Sequence, residues 1–311
     1  MSSDMTLSTD INYVSRKDID TVKWDNCISA APNGLIYGYS YYLDHMATRW
    51  DGLVLNDYEA VMPLTWNKKY GIYYLFQPFL TAQLGVFGKN ISAELLEAFL
   101  KNIPSRFRYW DFYLNYKNVF ALQEFQLYPR SNYVLDLRKQ YDEIYQSYRE
   151  NIIRNVKKAG QSGCVAGKNI DAEEVITLAV EQMKIHSAES KENVNRFRSL
   201  YKVLQGKQQA ITYGIFSPAK KLLSSAVFFF SHDRAYYILV GNHPDGRTIG
   251  ASHALIDAFI KDHAGKNLRL DFEGSDISNL ALFYSSFGAV EEKFAGIKLN
   301  RLPFYLKWLK K

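Results

Sequence analysis

The chain has 311 residues, enough for two domains or one large one with ample core. Hydrophobic residues make up 47% and charged residues 23%, which excludes a disordered or fibrous chain and describes an ordinary soluble globular one. The formal net charge of +6 favours an anionic partner, whether a phosphorylated cofactor, a nucleic acid or a membrane surface, without choosing among them.

In chain order, a helix is predicted over residues 40–50. Strands at 51–55 and 58–66 flank Asn56-Asp57, a hairpin signal. A turn at 67–71 leads to a strand at 72–77. The helix predicted at 92–102 carries Leu95, Leu96, Phe99 and Leu100 on one face, and the aromatic strand 107–114 follows. Helical sequence resumes at 142–160, 172–188 and 194–204. A second meander then begins, with strands at 211–217, 222–230 and 235–241. Residues 242–247 (NHPDGR) read as a turn. A helix at 250–263 places Ala251, Ala254, Leu255, Ala258 and Phe259 on one stripe, residues 268–272 form a strand, and a further helix carries 283–288. Both halves read as antiparallel meander, helix, strand, helix, with Asp-Phe in the strand after the first helix (Asp111-Phe112 and Asp271-Phe272), the pattern of a duplication. The expected architecture is α/β (α+β) with domains at 1–133 and 134–300 and a tail, 301–311, that returns to the first half.

Several chemistries drop out. Cys27 and Cys164 lie far apart and match no metal or redox spacing, so a reducing cytoplasm is expected. The start, MSSDMTLSTD, has neither a basic opening nor an apolar run, so no signal peptide is expected. Apolar clusters such as 226–230 are strand-sized, and no membrane insertion is expected. The histidines (His45, His186, His232, His243, His253 and His263) are scattered, so no metal site is expected. There is no Gly-x-Ser-x-Gly elbow and no Walker loop. What remains is the strand that feeds a helix through a glycine-containing turn near 241–252. Such a turn presents backbone N–H groups to an anion.

That segment carries a resemblance. Arg247-Thr248-Ile249-Gly250-Ala251-Ser252 resembles the Gln/Arg-x-x-Gly-x-Gly/Ala signature with which the GNAT acyltransferase superfamily binds the pyrophosphate of acyl-coenzyme A, with Ser in the last place. Over nearly the whole chain the sequence is similar to the tandem-GNAT, FemAB-like branch. The matching parts are residues 149–163 (RENIIRNVKKAGQSG), Gly250-Ala251-Ser252, Asp271-Phe272-Glu273-Gly274, the Phe-x-x-x-Phe-Gly run at 283–288 and the region 24–42. FemAB-like enzymes of the peptidoglycan branch move amino acids from aminoacyl-tRNA to a cell-wall precursor and carry Phe-Lys in that run. Here the pair is Phe283-Tyr284, without the lysine. Many GNAT enzymes instead place a Tyr four residues before a Gly, a spacing that Tyr284 and Gly288 keep, although Ile277 stands where those enzymes have Asn.

The resemblance implies two tandem GNAT-like domains, each a mixed, mostly antiparallel sheet flanked by helices. The donor would be acyl-CoA, and the acceptor an amine or hydroxyl of a small or cell-envelope-related molecule. Aminoacyl-tRNA is the second donor to weigh, and a degenerate fold that only binds a ligand is the third reading. Tyr284 would be the general acid, or a core tyrosine on the stripe Ile277, Leu280, Ala281, Tyr284 and Phe287. Asp271 and Glu273 flank Phe272, point to one side of an extended segment and could act as general base, or Glu273 could cap a turn. Arg247, Gly250, Ala251 and Ser252 would hold the donor's phosphates, or form a routine helix start. Leu239, Val240 and Gly241 would supply the adjoining strand edge, or plain sheet core. Arg154, Lys157 and Lys158 share one helical face that would clamp substrate beside Phe283, or simply be solvated. The first domain would supply one wall of an acceptor cleft.

Overall fold

The computed structural model describes residues 10–186, 190–274 and 276–303. It divides into two units. One comprises the residues up to Pro129 together with those from Lys293 onward, and the other is Arg130–Glu292. The tail expected to pack back, beyond residue 303, lies outside the described residues.

In the first unit β1 (Ile11–Val14) is followed by α1 (Thr21–Ala30), α2 (Ser40–Met46), β2 (Trp50–Leu55), β3 (Ala60–Lys69), β4 (Ile72–Phe76), β5 (Phe87–Gly88), α3 (Ala93–Lys101) and β6 (Phe107–Tyr113). β1, β2, β3 and β4 pair antiparallel in sequence order, and β4 then pairs parallel with β6. Ser92 caps α3 by accepting the Leu95 N–H at 3.2 Å, and the helix buries Leu96, Phe99 and Leu100, the face its spacing predicts. The predicted hairpin turn is longer than Asn56-Asp57. Both Asn56 and Tyr58 are left-handed, which moves the start of β3 to Ala60.

The second unit contains most of β7 (Leu127–Asp136), then α4 (Tyr141–Gln146), α5 (Glu150–Gln161), β8 (Val165–Lys168), α6 (Ala172–His186), α7 (Lys191–Gly206), β9 (Ala210–Phe216), β10 (Leu222–Ser231), β11 (Arg234–Asn242), α8 (Pro244–Ile249), α9 (Ala251–His263), β12 (Arg269–Asp271) and α10 (Ser278–Ser285). Its strand order is β7-β12-β11-β10-β9-β8, with only the β11–β12 pair parallel. The meander β9-β10-β11, the helix α9 and the parallel strand β12 reproduce β2-β3-β4, α3 and β6. Asp111-Phe112 and Asp271-Phe272 fall at the far ends of the two parallel pairings. The core of this unit packs α9 on the sheet. Phe228 and Phe259 stack at 3.8 Å, and Leu255, Ile256, Ile260 and Phe287 are fully enclosed around them. Each such side chain contributes about 1.5–3 kcal/mol of burial.

Two expectations change. The boundary set at 133/134 falls inside β7. The last strand, β13 (Val290–Asn300), pairs with β6 over Gly296–Asn300, so hydrogen bonding draws the final residues of the expected second domain into the first unit. The single helical stretch at 142–160 is two helices, α4 and α5. Among the described residues no helix is long and apolar enough to cross a membrane.

Candidate functional site

The site begins with a strand that loses its neighbour. On one edge β11 pairs with β10 along its whole length, with a bulge. Val227 faces Leu239 and Phe228 faces Tyr237, leaving Ile238 without a partner. On the other edge β11 pairs with β12 only from Arg234 to Tyr236, yet it runs on to Asn242. The cause is local. Asp271 accepts the Glu273 N–H through Oδ1 at 2.9 Å, Glu273 is left-handed at φ 66°, and Phe272 donates its N–H to the Tyr133 carbonyl at 3.0 Å. β12 therefore turns away after Asp271, and among the described residues no strand pairs with the β11 edge from Tyr237 to Gly241, while at its end the Asn242 N–H donates to Gln182 Oε1 of α6 at 2.6 Å.

Asp271 is the anchor of that divergence. Its Oδ2 receives Arg234 Nη1 at 2.7 Å and its Oδ1 receives Asn132 Nδ2 at 2.9 Å, while Arg234 Nη2 reaches Glu292 Oε1 at 2.7 Å. Arg234 and Asp271 are each 2% exposed. Asp271 and Glu273 do not share one side of an extended segment, because the strand ends between them. The carboxylate proposed as a base is instead fully engaged in a buried ion pair.

Beyond β11 the chain does not simply turn. Pro244 opens α8 at its first position, and His243 Nδ1 accepts the Asp245 N–H at 3.1 Å. Arg247 lies on the last turn of that short helix, exposed and with no ion-pair partner among the described residues. Gly250 takes φ 78° between α8 and α9 and sits against Asn155 of α5, where a Cβ would stand 2.6 Å from the carbonyl oxygen. The next N–H groups, on Ala251, Ser252 and His253, have no hydrogen-bond partner among the described residues. They form the unsatisfied start of a 13-residue helix. Gly241 serves packing: a Cβ there would stand 2.6 Å from the Ala179 N of α6. Val240 packs on the α9 side, and Leu239 is buried at 5% exposure.

α10 closes the cluster. Tyr284 is 8% exposed, stacks on Phe272 at 4.4 Å and 16°, and finds no hydrogen-bond partner for its hydroxyl among the described residues. Burial first, and then the Glu273 carboxylate, push its pKa up to about 12. Phe283 stands edge-on to His253 at 4.9 Å. The His253 Nδ1 is buried without a partner, and burial draws the imidazole down to about 4, so it is neutral at pH 7. The predicted stripe does not hold as a buried face. Tyr284 and Phe287 are enclosed, but Ile277 and Leu280 are exposed, because the helix starts only at Ser278 and runs eight residues. The Arg149 N–H donates to the Ser286 carbonyl at 2.9 Å, tying the start of α5 to the end of α10. Along α5, Arg154, Lys157 and Lys158 are exposed and line a shallow cleft of about 500 Å³ with Glu150, Ile153 and Gln161; none of the three cations has an ion-pair partner among the described residues.

Thus Tyr284, Phe283, Glu273 and His253 gather beside the open edge, Arg247 and Gly250–Ser252 lie at its end, and Arg154 and Lys158 line α5 nearby. The ion-pair anchor Arg234, the bulge at Ile238 and the buried Tyr237 were not singled out from the sequence. An arginine opening an apolar strand was the one visible signal.

No protein-family model matches the sequence, and no curated protein matches it. Solved structures do. FemX superposes with a TM-score of 0.63 at 14% identity, over 97% of this chain and 99% of that one. A conserved protein of unknown function from Bacteroides thetaiotaomicron gives 0.59 at 12%, over 94% and 100%. L-PGS from Bacillus licheniformis gives 0.54 at 10%, over 93% and 95%. The likeness is one of fold. The shared fold is a mixed sheet flanked by helices.

Proposed function

We propose that this chain is an acyltransferase of the tandem, FemAB-like kind, which moves an acyl group from a phosphate-bearing carrier to an acceptor amine or hydroxyl. The observation that carries the reading is the edge of β11 without a strand neighbour, which leads from Tyr284 to the unsatisfied N–H groups of Ala251, Ser252 and His253. A carrier's pantetheine arm could pair with the freed strand edge, and its pyrophosphate would meet the start of α9 with Arg247 alongside. Tyr284, neutral at physiological pH, would give its proton to the departing thiolate. Glu273 stands close enough to act on Tyr284 electrostatically. We assign Asp271 to holding the splay rather than to proton transfer.

The donor we favour is acyl-CoA, because Tyr284 stands where tRNA-dependent relatives of the resembled family carry Lys. A second donor, aminoacyl-tRNA, draws support from the unpaired cations of α5 packed beside α9. Calorimetry with acyl-CoA and a thiol-release assay with an amine pool test the first reading. Tyr284→Phe should lower kcat about 100-fold. A protein that binds no acyl-CoA and releases no thiol refutes acyl-CoA use, and tight, salt-sensitive binding of aminoacyl-tRNA would then select the second donor.

A further inference from the structure

Tyr237 stands at the position where β11 loses its parallel neighbour, immediately before the bulged Ile238. Its ring is 5% exposed and edge-on to Phe272 at 6.0 Å, the same ring on which Tyr284 stacks at 4.4 Å. Neither phenol has a hydrogen-bond partner among the described residues. Other enclosed tyrosines of this unit are satisfied. Tyr213 donates to Asp262 Oδ2 at 2.7 Å, and Tyr141 and Tyr148 donate to Asp257 Oδ1 at 2.9 and 3.1 Å. Neither hydroxyl oxygen is among the fully buried unpaired atoms, so each keeps an opening to solvent, and two such unbonded donors around one aromatic ring beside the β11 edge are placed to meet a partner that arrives from outside the chain.

We propose that Tyr237 is a second catalytic hydroxyl, donating a hydrogen bond to the carbonyl oxygen of the acyl donor while Tyr284 protonates the leaving group. The inference rests on the acyl-transfer reading. The acceptor nitrogen forms the new bond to the carbonyl carbon, and the carbon–sulfur bond breaks with its electron pair on sulfur. Sulfur takes the Tyr284 proton, and the proton shed by the acceptor nitrogen returns to the Tyr284 oxygen. Tyr237 keeps its proton throughout. Burial, and after it the nearby Tyr284 hydroxyl, raise its pKa well above the ordinary phenol value, so it remains a donor as negative charge grows on the carbonyl oxygen.

The test is Tyr237→Phe in the full chain, assayed with acyl-CoA and amine, beside Tyr213→Phe. Tyr237→Phe should lower kcat about 100-fold with the donor KM within about threefold, and should leave the Tm of the free protein unchanged or raised, since no internal bond is lost. Tyr213→Phe should lower Tm and keep kcat, since its bond to Asp262 is structural. If Tyr237→Phe lowers Tm as Tyr213→Phe does, or turns over like wild type while Tyr284→Phe does not, the role assigned to Tyr237 is wrong and the acyl-transfer reading stands. If wild type neither binds nor consumes acyl-CoA, acyl-CoA use and the role assigned to Tyr237 fall together.

Discussion

Gly250→Ala separates packing from ligand binding at the start of α9. Gly250 lies at φ 78°, and an added Cβ would stand 2.6 Å from the Asn155 carbonyl oxygen and 2.9 Å from the Asn155 Cβ. The left-handed conformation costs a non-glycine residue about 1–2 kcal/mol. Overpacking adds about 1–3 kcal/mol. Because the oxygen that must give way belongs to helix backbone rather than to the end of a flexible side chain, relief requires α5 to move off α9. We expect a loss of about 2–5 kcal/mol, which for a unit of this size lowers Tm by about 4–20 °C. Thermal unfolding followed by circular dichroism measures it. Arg247→Ala, exposed and unpaired, should change stability by less than about 0.5 kcal/mol and act on donor affinity alone. A Gly250→Ala protein that melts within about 2 °C of wild type would refute the packing argument and leave the glycine explained by ligand approach only.

Asp271→Ala strands Arg234 in the interior with Glu292 as its remaining carboxylate and takes an acceptor from Asn132 and Glu273, so urea unfolding should show a loss of about 3–5 kcal/mol. The double change Arg234→Met with Asp271→Leu should cost less than Asp271→Ala alone, and a larger cost would contradict the ion-pair assignment. His253 is held neutral in the folded protein, with its pKa drawn from 6.5 to about 4. Between those values the unfolded chain binds the proton more readily, so stability falls as pH drops through that window, and His253→Phe should remove that part of the acid slope. An unchanged slope would place the sensitivity elsewhere. Arg154→Glu with Lys158→Glu should leave Tm nearly unchanged while weakening donor binding, most strongly at low salt. Equal donor affinity at all salt concentrations would reduce this face to solvated surface.

The elements that sequence predicted best are those whose apolar spacing matches one packing partner. α3 and α9 begin and end within a residue of the predicted spans, because their buried faces repeat at helical spacing and Ser92 and Gly250 mark the starts. The strand pair β10–β11 was equally legible from its aromatic and β-branched runs. What was missed depends on partners distant in sequence. α8 was read as a turn because Asn, Pro, Asp and Gly all favour turns, although Pro244 at a first helical position was available as a signal. The role of Asp271 could not be read from Asp-Phe-Glu-Gly, since Arg234 and Asn132 become its partners only when β7, β11 and β12 are neighbours. Likewise Tyr237 is one aromatic in an apolar strand until pairing shows that β12 ends beside it.

The repeated topology explains why the candidate site falls in the second unit. In the first unit the parallel pair β4–β6 could have splayed in the same way, but its edge is filled. The Gln77 side chain accepts the Tyr113 N–H at 2.9 Å, the Leu84 N–H donates to the Tyr113 carbonyl at 2.9 Å, and Leu84 bridges in parallel to Leu114. The chain between β4 and α3 thus returns to the edge and completes the hydrogen bonding that β4 leaves off. In the second unit the connection from β11 to α9 is spent on α8, which packs on α5 and α9 and brings no strand back to β11. Exposed strand edges are a liability that folds usually cover. One copy of the motif covers the β6 edge with its own loop, and the other leaves β11 without a strand neighbour from Tyr237 to Gly241, beside two tyrosines whose hydroxyls have no hydrogen-bond partner among the described residues. A ligand with an extended, amide-bearing arm would satisfy that edge and those hydroxyls together, which is the demand that an acyl carrier meets.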